Sequence, residues 1–173
     1  MSEDIVMKYC AFLRGINVGG VKLKSTEQKE WFEKLGFVDV STVLATGNII
    51  FSSPLGIEEV KTQLENLPVK AFVKRAEQVE KALTQQPLTP KDEHHIYIFI
   101  AEWDFAKQAR VEFESVEHDP SEQVAIVEDL FYWQVEKGKT LDTPFSKILG
   151  KKKYKEEFTS RNINTLEKIV KKL

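Results

Sequence analysis

Apolar residues along the chain alternate between strand-like runs and helix-like spacings. Residues 8–14 are apolar on both faces around Ala11–Leu13, which is typical of a central strand. Ser25 opens a helical pattern, and Gln28 three residues later predicts a capping box. Gly36 is placed to end this helix.

The segments that follow complete a first series of elements. They are strands at 37–44 and 49–52, a helix at 57–67, a strand at 69–73 and a further helix at 77–85. Thr46-Gly47-Asn48 is a turn that makes a hairpin of the two neighbouring strands, and Pro68 stops the helix. The order β-α-β-β-α-β predicts a ferredoxin-like half with an antiparallel sheet and helices on one face.

The second part of the chain repeats this order. Its strands are expected at 95–101, 123–127, 130–135 and 157–160, with helices at 105–113 and 144–149 and a last helix that runs to Leu173. Thr143 and Asn162 are the expected N-caps of the second and last of these helices. Residues 87–92 carry two prolines and predict a linker between halves 1–86 and 93–173. The fold class is therefore α+β, with two tandem ferredoxin-like halves.

The composition is ordinary for a soluble globular protein, with 42% hydrophobic and 30% charged residues among 173. No apolar run approaches the roughly 20 residues that span a bilayer, so no membrane association is expected. The acidic start at Ser2–Asp4 lacks the pattern of a signal peptide, and we expect a cytoplasmic protein. Cys10 is the one cysteine, and it is expected to be buried and inert.

The formal net charge of −2 hides an asymmetry along the chain. Residues 146–173 hold nine Lys and Arg against three Asp and Glu, which is +6 and leaves −8 for the remainder. A basic segment of this kind indicates an anionic partner or contact with the acidic part of the protein. A solvated helix face is the other interpretation.

The loop after the first strand has the composition of an anion site. Arg14 can grip a carboxylate or phosphate with its guanidinium, or form a salt bridge at the strand end. Gly15, Gly19 and Gly20 can cradle an anion or form a tight bend, and Asn17 can contact a ligand or bond its own backbone. The loop has neither the Walker spacing nor the dinucleotide-binding glycine pattern.

Two other segments have similar composition. Thr46 and Asn48 flank a glycine in the first hairpin, where they contact a ligand or serve as turn residues. Arg161 precedes the last helix, whose positive N-terminal end favours anions, and Asn162 is most simply its N-cap. Thr165 at the third helical position can bond back toward the cap.

These segments favour a binding module for a small anionic ligand, carrying phosphate or carboxylate, between the two halves. Lys147 is a further candidate contact. One alternative is nucleic-acid binding through the basic C-terminal segment, which the net charge and the missing stacking signature disfavour. Another is an enzyme of unknown reaction that uses the same polar cluster. The sequence names no catalytic residue, implies no cofactor, and shows no metal-ligand spacing among its three histidines.

The motifs also predict a geometry. Three polar segments with special backbone conformations are most simply explained by one shared site. We therefore expect the Arg14–Gly20 loop, the Thr46–Asn48 turn and the Arg161–Thr165 helix start to lie side by side. The alternative is that these segments seal an interface between the halves.

Four segments together resemble a known bacterial family. They are Leu13–Gly20, Leu35–Phe37, Thr46–Asn48 and Thr159–Thr165, and the resemblance runs from about Lys8 to Lys168. The chain thus resembles the bacterial domain-of-unknown-function family 1697, whose fold is two ferredoxin-like halves in tandem. The family has no established activity, so the resemblance implies a fold and no chemistry. Ile163 stands where the family usually has a tryptophan, and Thr46 where it usually has serine.

Overall fold

Two series of elements follow one another along the chain. The computed structural model describes residues 6–15, 23–44, 47–101, 104–151, 154 and 156–173. The first series is β1 (Met7–Leu13), α1 (Ser25–Lys34), β2 (Val38–Thr42), β3 (Asn48–Ser53), α2 (Ile57–Leu64), β4 (Ala71–Arg75) and α3 (Ala76–Thr84). The second is β5 (His94–Ala101), α4 (Phe105–Glu114), β6 (Gln123–Val127), β7 (Leu130–Glu136), α5 (Pro144–Leu149), β8 (Phe158–Asn162) and α6 (Ile163–Lys172).

The strands form two antiparallel sheets of four strands with the same topology. Their orders are β2-β3-β1-β4 and β6-β7-β5-β8, so the first strand of each series lies between the third and the fourth. This order is that of the ferredoxin-like arrangement. The predicted α+β fold with two tandem ferredoxin-like halves is confirmed.

The central strand β1 is buried on both faces. Tyr9, Ala11 and Leu13 face a core that includes Phe32 of α1 and Val60 of α2. Because side chains alternate along a strand, Cys10 and its neighbour Phe12 point to the opposite face, where both are also fully buried. The continuous apolar run predicted this double burial, and the expected burial of Cys10 is confirmed.

The structure divides into two compact units. The first comprises Met1–Lys81 and Glu167–Leu173, and the second comprises Ala82–Leu166. Residues 87–92 belong to the second unit, where the Gln134 side chain donates a hydrogen bond to the Thr89 carbonyl at 2.8 Å. The sequence-based halves 1–86 and 93–173 stay predictions. Among the described residues no helix is long and apolar enough to cross a membrane.

Helix α1 ends as predicted but begins differently. Gly36 has φ +92°, and its N–H and that of Phe37 donate to the carbonyls of Glu33 and Phe32, which closes the helix in a Schellman motif. The expected capping box of Ser25 and Gln28 is wrong. Within the described residues around the helix start, Lys24 is the N-cap and no side chain caps it.

Gln28 contributes to the start of α1 in another way. Its side chain is fully buried, and Nε2 donates to the Leu23 carbonyl at 3.3 Å. The buried amide thus bonds the Leu23 carbonyl instead of completing a capping box with Ser25. The predicted caps of the second half are confirmed, since Thr143 and Ser146 form a reciprocal capping box and Asn162 Oδ1 accepts from the Asn164 N–H at 2.9 Å.

The first hairpin is closed by a buried asparagine. Asn48 lies in β3 rather than in the turn, and it is fully buried. Its Nδ2 donates to the Val43 carbonyl at 2.9 Å, and its own carbonyl accepts from the Val43 N–H at 2.9 Å. Asn48 therefore joins the ends of the hairpin by backbone and side chain together.

We expect Asn48→Ala to lower the free energy of unfolding by about 1–3 kcal/mol, because the buried Val43 carbonyl loses its side-chain donor. Urea unfolding followed by circular dichroism measures this loss. The control is Asn66→Ala, which changes an exposed asparagine. Equal midpoints for the two variants would contradict the role of Asn48.

Candidate functional site

The end of β1 brings together two of the predicted polar segments in the first unit. The Leu13 N–H donates to the Gly47 carbonyl at 2.8 Å, and the Arg14 N–H donates to the Lys70 carbonyl at 2.9 Å. Because β1 is antiparallel to both neighbours, its last residues lie beside the first residues of β3 and β4. Arg14 and Gly15 therefore lie next to Gly47 and Lys70.

Positive charge collects at this end of the first sheet. Arg14 is half-buried, and Lys70 is exposed with its Nζ 5.5 Å from the centroid of the Phe72 ring. Lys172 Nζ donates to the carbonyl of Thr42 at 3.2 Å, at the end of β2. Since β2 ends where β3 begins, all three cations belong to the same end of the sheet.

Gly15 has a backbone conformation that suits an anion-binding turn. Its φ is +75°, and an added Cβ would meet no heavy atom within 4 Å. Conformation rather than space therefore requires glycine here. Of the other predicted site residues in the first unit, Asn48 is committed to the hairpin, while Asn17, Gly19, Gly20 and Thr46 lie outside the described residues.

The third predicted segment belongs to the second unit. Arg161 is 9% exposed, and its Nη1 donates to Thr159 Oγ1 at 2.7 Å and to the Ser160 carbonyl at 2.9 Å. Asn162 caps α6 with Oδ1, and its Nδ2 lies 3.1 Å from His95 Nδ1. These bonds favour a structural role for both residues. Thr165 lies half-buried in the first turn of α6.

The predicted neighbourhood of all three segments stays a prediction, because it joins the two units. Lys147 lies exposed in the last turn of α5. The basic segment that suggested nucleic-acid binding includes Lys151, but Lys152, Lys153 and Lys155 lie outside the described residues. The nucleic-acid and enzyme alternatives also stay predictions.

The second unit has an open cleft that the sequence analysis missed. Its volume is about 340 Å³, and five carboxylates line it: Glu117, Asp119, Glu122, Glu136 and Asp142. The other lining residues include His118, Lys139, Val135 and Pro144. A sequence signal was available, because β6 and β7 form a hairpin whose open end is flanked by the acidic segment 117–122 and by segment 136–142, which carries Glu136 and Asp142. Pairing of the two strands must bring these segments together.

Glu122 is the buried carboxylate of this cleft. It is 4% exposed, and its Oε1 accepts from Trp133 Nε1 at 3.2 Å. Its Oε2 is buried and has no hydrogen-bond partner among the described residues. Burial raises the pKa of the Glu122 carboxyl, while the Trp133 hydrogen bond and His118 oppose this shift.

Two other carboxylates of the cleft are held by local bonds. Asp119 accepts hydrogen bonds from the N–H and hydroxyl of Ser121 at 2.9 and 2.7 Å, which lower the pKa of its carboxyl. Glu136 lies 3.1 Å from Lys139 Nζ, and this contact raises the pKa of the lysine. Among the described residues no group of three His, Cys, Asp or Glu side chains could hold a metal ion.

We expect Arg161→Ala to lower the free energy of unfolding by about 1–3 kcal/mol, because the buried Thr159 hydroxyl and the half-buried Ser160 carbonyl lose their donor. Chemical denaturation measures the change. The matched control is Arg110→Ala, which removes an exposed arginine paired with Glu114 on the surface. A loss no greater than that of the control would favour a ligand-binding role for Arg161 instead.

Glu122→Gln should change the dependence of stability on pH. Because the pKa of Glu122 is raised by folding, its stabilising contribution is full below the unfolded pKa and is lost as pH rises through the folded value. The glutamine variant should therefore gain stability relative to the wild type as the pH rises above the unfolded pKa of about 4.

Urea unfolding at several pH values measures this difference. The control is Glu80→Gln, which removes an exposed carboxylate of α3. A difference in unfolding free energy between the wild type and Glu122→Gln that stays constant over the pH range would contradict the pKa shift.

Comparisons with known proteins agree with this fold. The chain is similar to the conserved bacterial protein SP0830 from Streptococcus pneumoniae, with 23% identity, a TM-score of 0.76, and coverage of 96% of this chain and 98% of that one. At this identity the likeness shows the fold alone. No curated protein matches the chain. The sequence model described as Protein of unknown function (DUF1697) matches residues 6–132, which is more than half of the chain, and the protein therefore belongs to this family.

Proposed function

We propose that the protein is a binding module for a small anionic ligand that carries a phosphate or carboxylate. The ligand binds at the end of the first sheet, where β1 ends between β3 and β4. The single observation that carries this proposal is the bond between the Arg14 N–H and the Lys70 carbonyl, which sets two basic residues on adjacent strand ends. Basic residues on neighbouring strand ends converge on an anion without a long loop.

Arg14 and Lys70 have complementary properties for this task. The guanidinium of Arg14 offers paired N–H donors that match two oxygens of a carboxylate or phosphate. Lys70 adds a compact charge that adapts to the ligand, since it is exposed. Arg14 is half-buried, so it loses less side-chain freedom on binding than an exposed arginine would.

The backbone of this sheet end supports the same proposal. Gly15 and Gly47 both have positive φ, with values of +75° and +88°. Backbone N–H groups around such residues form concave nests that bind anions. Asn17, Gly19, Gly20 and Thr46 stay in the proposed site on the sequence argument. The shared site with Arg161, Asn162, Thr165 and Lys147 stays a prediction.

Arg14→Gln should abolish stabilisation by an anion. In the wild type, a ligand at a hundredfold excess over its Kd should add about 2.7 kcal/mol to stability, which a thermal shift reports. The panel comprises inorganic phosphate, sulfate, nucleotides, sugar phosphates and dicarboxylates. Glutamine keeps much of the side-chain length and removes the charge, so the shift should fall to near zero.

The matched control is Arg110→Gln, which removes the same charge from the exposed surface of α4. It should keep the full thermal shift. No shift of the wild type with any anion, or equal shifts for the two arginine variants, would contradict the proposed site.

A further inference from the structure

The cleft of the second unit has a charge opposite to that of the first unit's sheet end. Five carboxylates line it, and the one lysine among its lining residues, Lys139, is already paired with Glu136 at 3.1 Å. Its surface is therefore negative at neutral pH. A volume of about 340 Å³ matches the lower range of small-molecule sites, roughly 300–1,000 Å³.

Acidic side chains at a surface are often only solvated, but Glu122 is not at the surface. Only 4% of the Glu122 residue is exposed, and its Oε2 accepts no hydrogen bond from the described residues. A buried carboxylate oxygen without a donor is unfavourable. A donor that enters the cleft would remove this cost, since Glu122 lines the cleft wall.

The arrangement of the carboxylates restricts the chemistry of that donor. Within the part of the chain that the structure describes, no three acidic or histidine side chains are arranged to hold a metal ion. The carboxylates instead come from separate segments, the loop before β6, the last residue of β7 and the turn that follows it. Charges distributed in this way suit a cation with several N–H donors. Pro144, which is exposed, adds apolar surface for an alkyl part.

We propose that this cleft binds a small organic cation, whose ammonium or guanidinium group bonds Glu122 and whose short alkyl chain packs on Pro144. Glu122 anchors the charged group, because its orientation is fixed by the bond from Trp133. Glu117 and Asp142 are exposed and attract the cation at the entrance. This site is independent of the proposed anion site, because its ligand has the opposite charge and the two sites share no residue.

The test uses agmatine and putrescine as probes in isothermal titration at constant ionic strength. The wild type should bind at least one of them with one-site saturation. Glu122→Gln should weaken binding about tenfold or more, because one charge-assisted hydrogen bond is lost while the bond from Trp133 is kept. Glu80→Gln, which removes an exposed carboxylate outside the cleft, should bind with unchanged affinity.

A second variant keeps the proposal testable if Glu122→Gln does not fold. The double variant Glu117→Gln/Asp142→Asn changes two exposed residues of the cleft and should weaken binding about threefold or more. The neutral probe 1,4-butanediol should not bind. Three results would overturn the proposal: no binding of either amine at millimolar concentration, equal affinity for wild type and cleft variants, or binding of butanediol as tight as that of putrescine.

Discussion

The pairing of each central strand with two antiparallel neighbours is the constraint on which the rest of the structure depends. In the first sheet, Phe12 is opposite Asn48 and Leu13 is opposite Ala71. A slip of one residue would turn Tyr9 and the other core side chains of β1 to the opposite face. The same register determines which residues at the starts of β3 and β4 lie beside the end of β1. Core packing therefore positions the Arg14 segment without any contact to a ligand.

The second unit shows the same dependence through its aromatic core. The Trp133 ring packs against Phe145 with centroids 5.4 Å apart and against Phe99 at 6.2 Å. Its indole N–H donates to Glu122. A buried indole N–H needs an acceptor, and Glu122 supplies it at the start of β6. The core thus holds the one buried carboxylate of the cleft in a defined position, so packing and site chemistry are linked at Trp133.

Much of the fold could be predicted from the sequence because its signals are local. The strand and helix periods depend on neighbours in the chain, and Thr143 and Asn162 cap helices that begin directly after them. Predictions failed where a distant or buried partner decides. Gln28 turns to the Leu23 carbonyl because its side chain is buried, and Asn48 belongs to a strand because it bonds Val43 across the turn.

The candidate site was predictable only in part for the same reason. The glycines and Arg14 at the end of β1 carry a compositional signal that a reader of the sequence can see. Glu122 carries none, because an acidic residue before a strand is usually exposed. What distinguishes Glu122 is its hydrogen bond from the indole of Trp133 across the hairpin. That contact can be inferred only when the register of β6 and β7 is known.

The two proposed sites illustrate why the fold alone says little about chemistry. Both units have the same strand order, yet the described end of one sheet presents Arg14 and Lys70 while the other unit presents carboxylates. The sheet ladder uses the backbone groups within the strands and leaves the residues beyond the strand ends free to vary. Function in such a fold is therefore determined by strand ends and loops. The likeness to SP0830, at 23% identity, shows the shared fold alone.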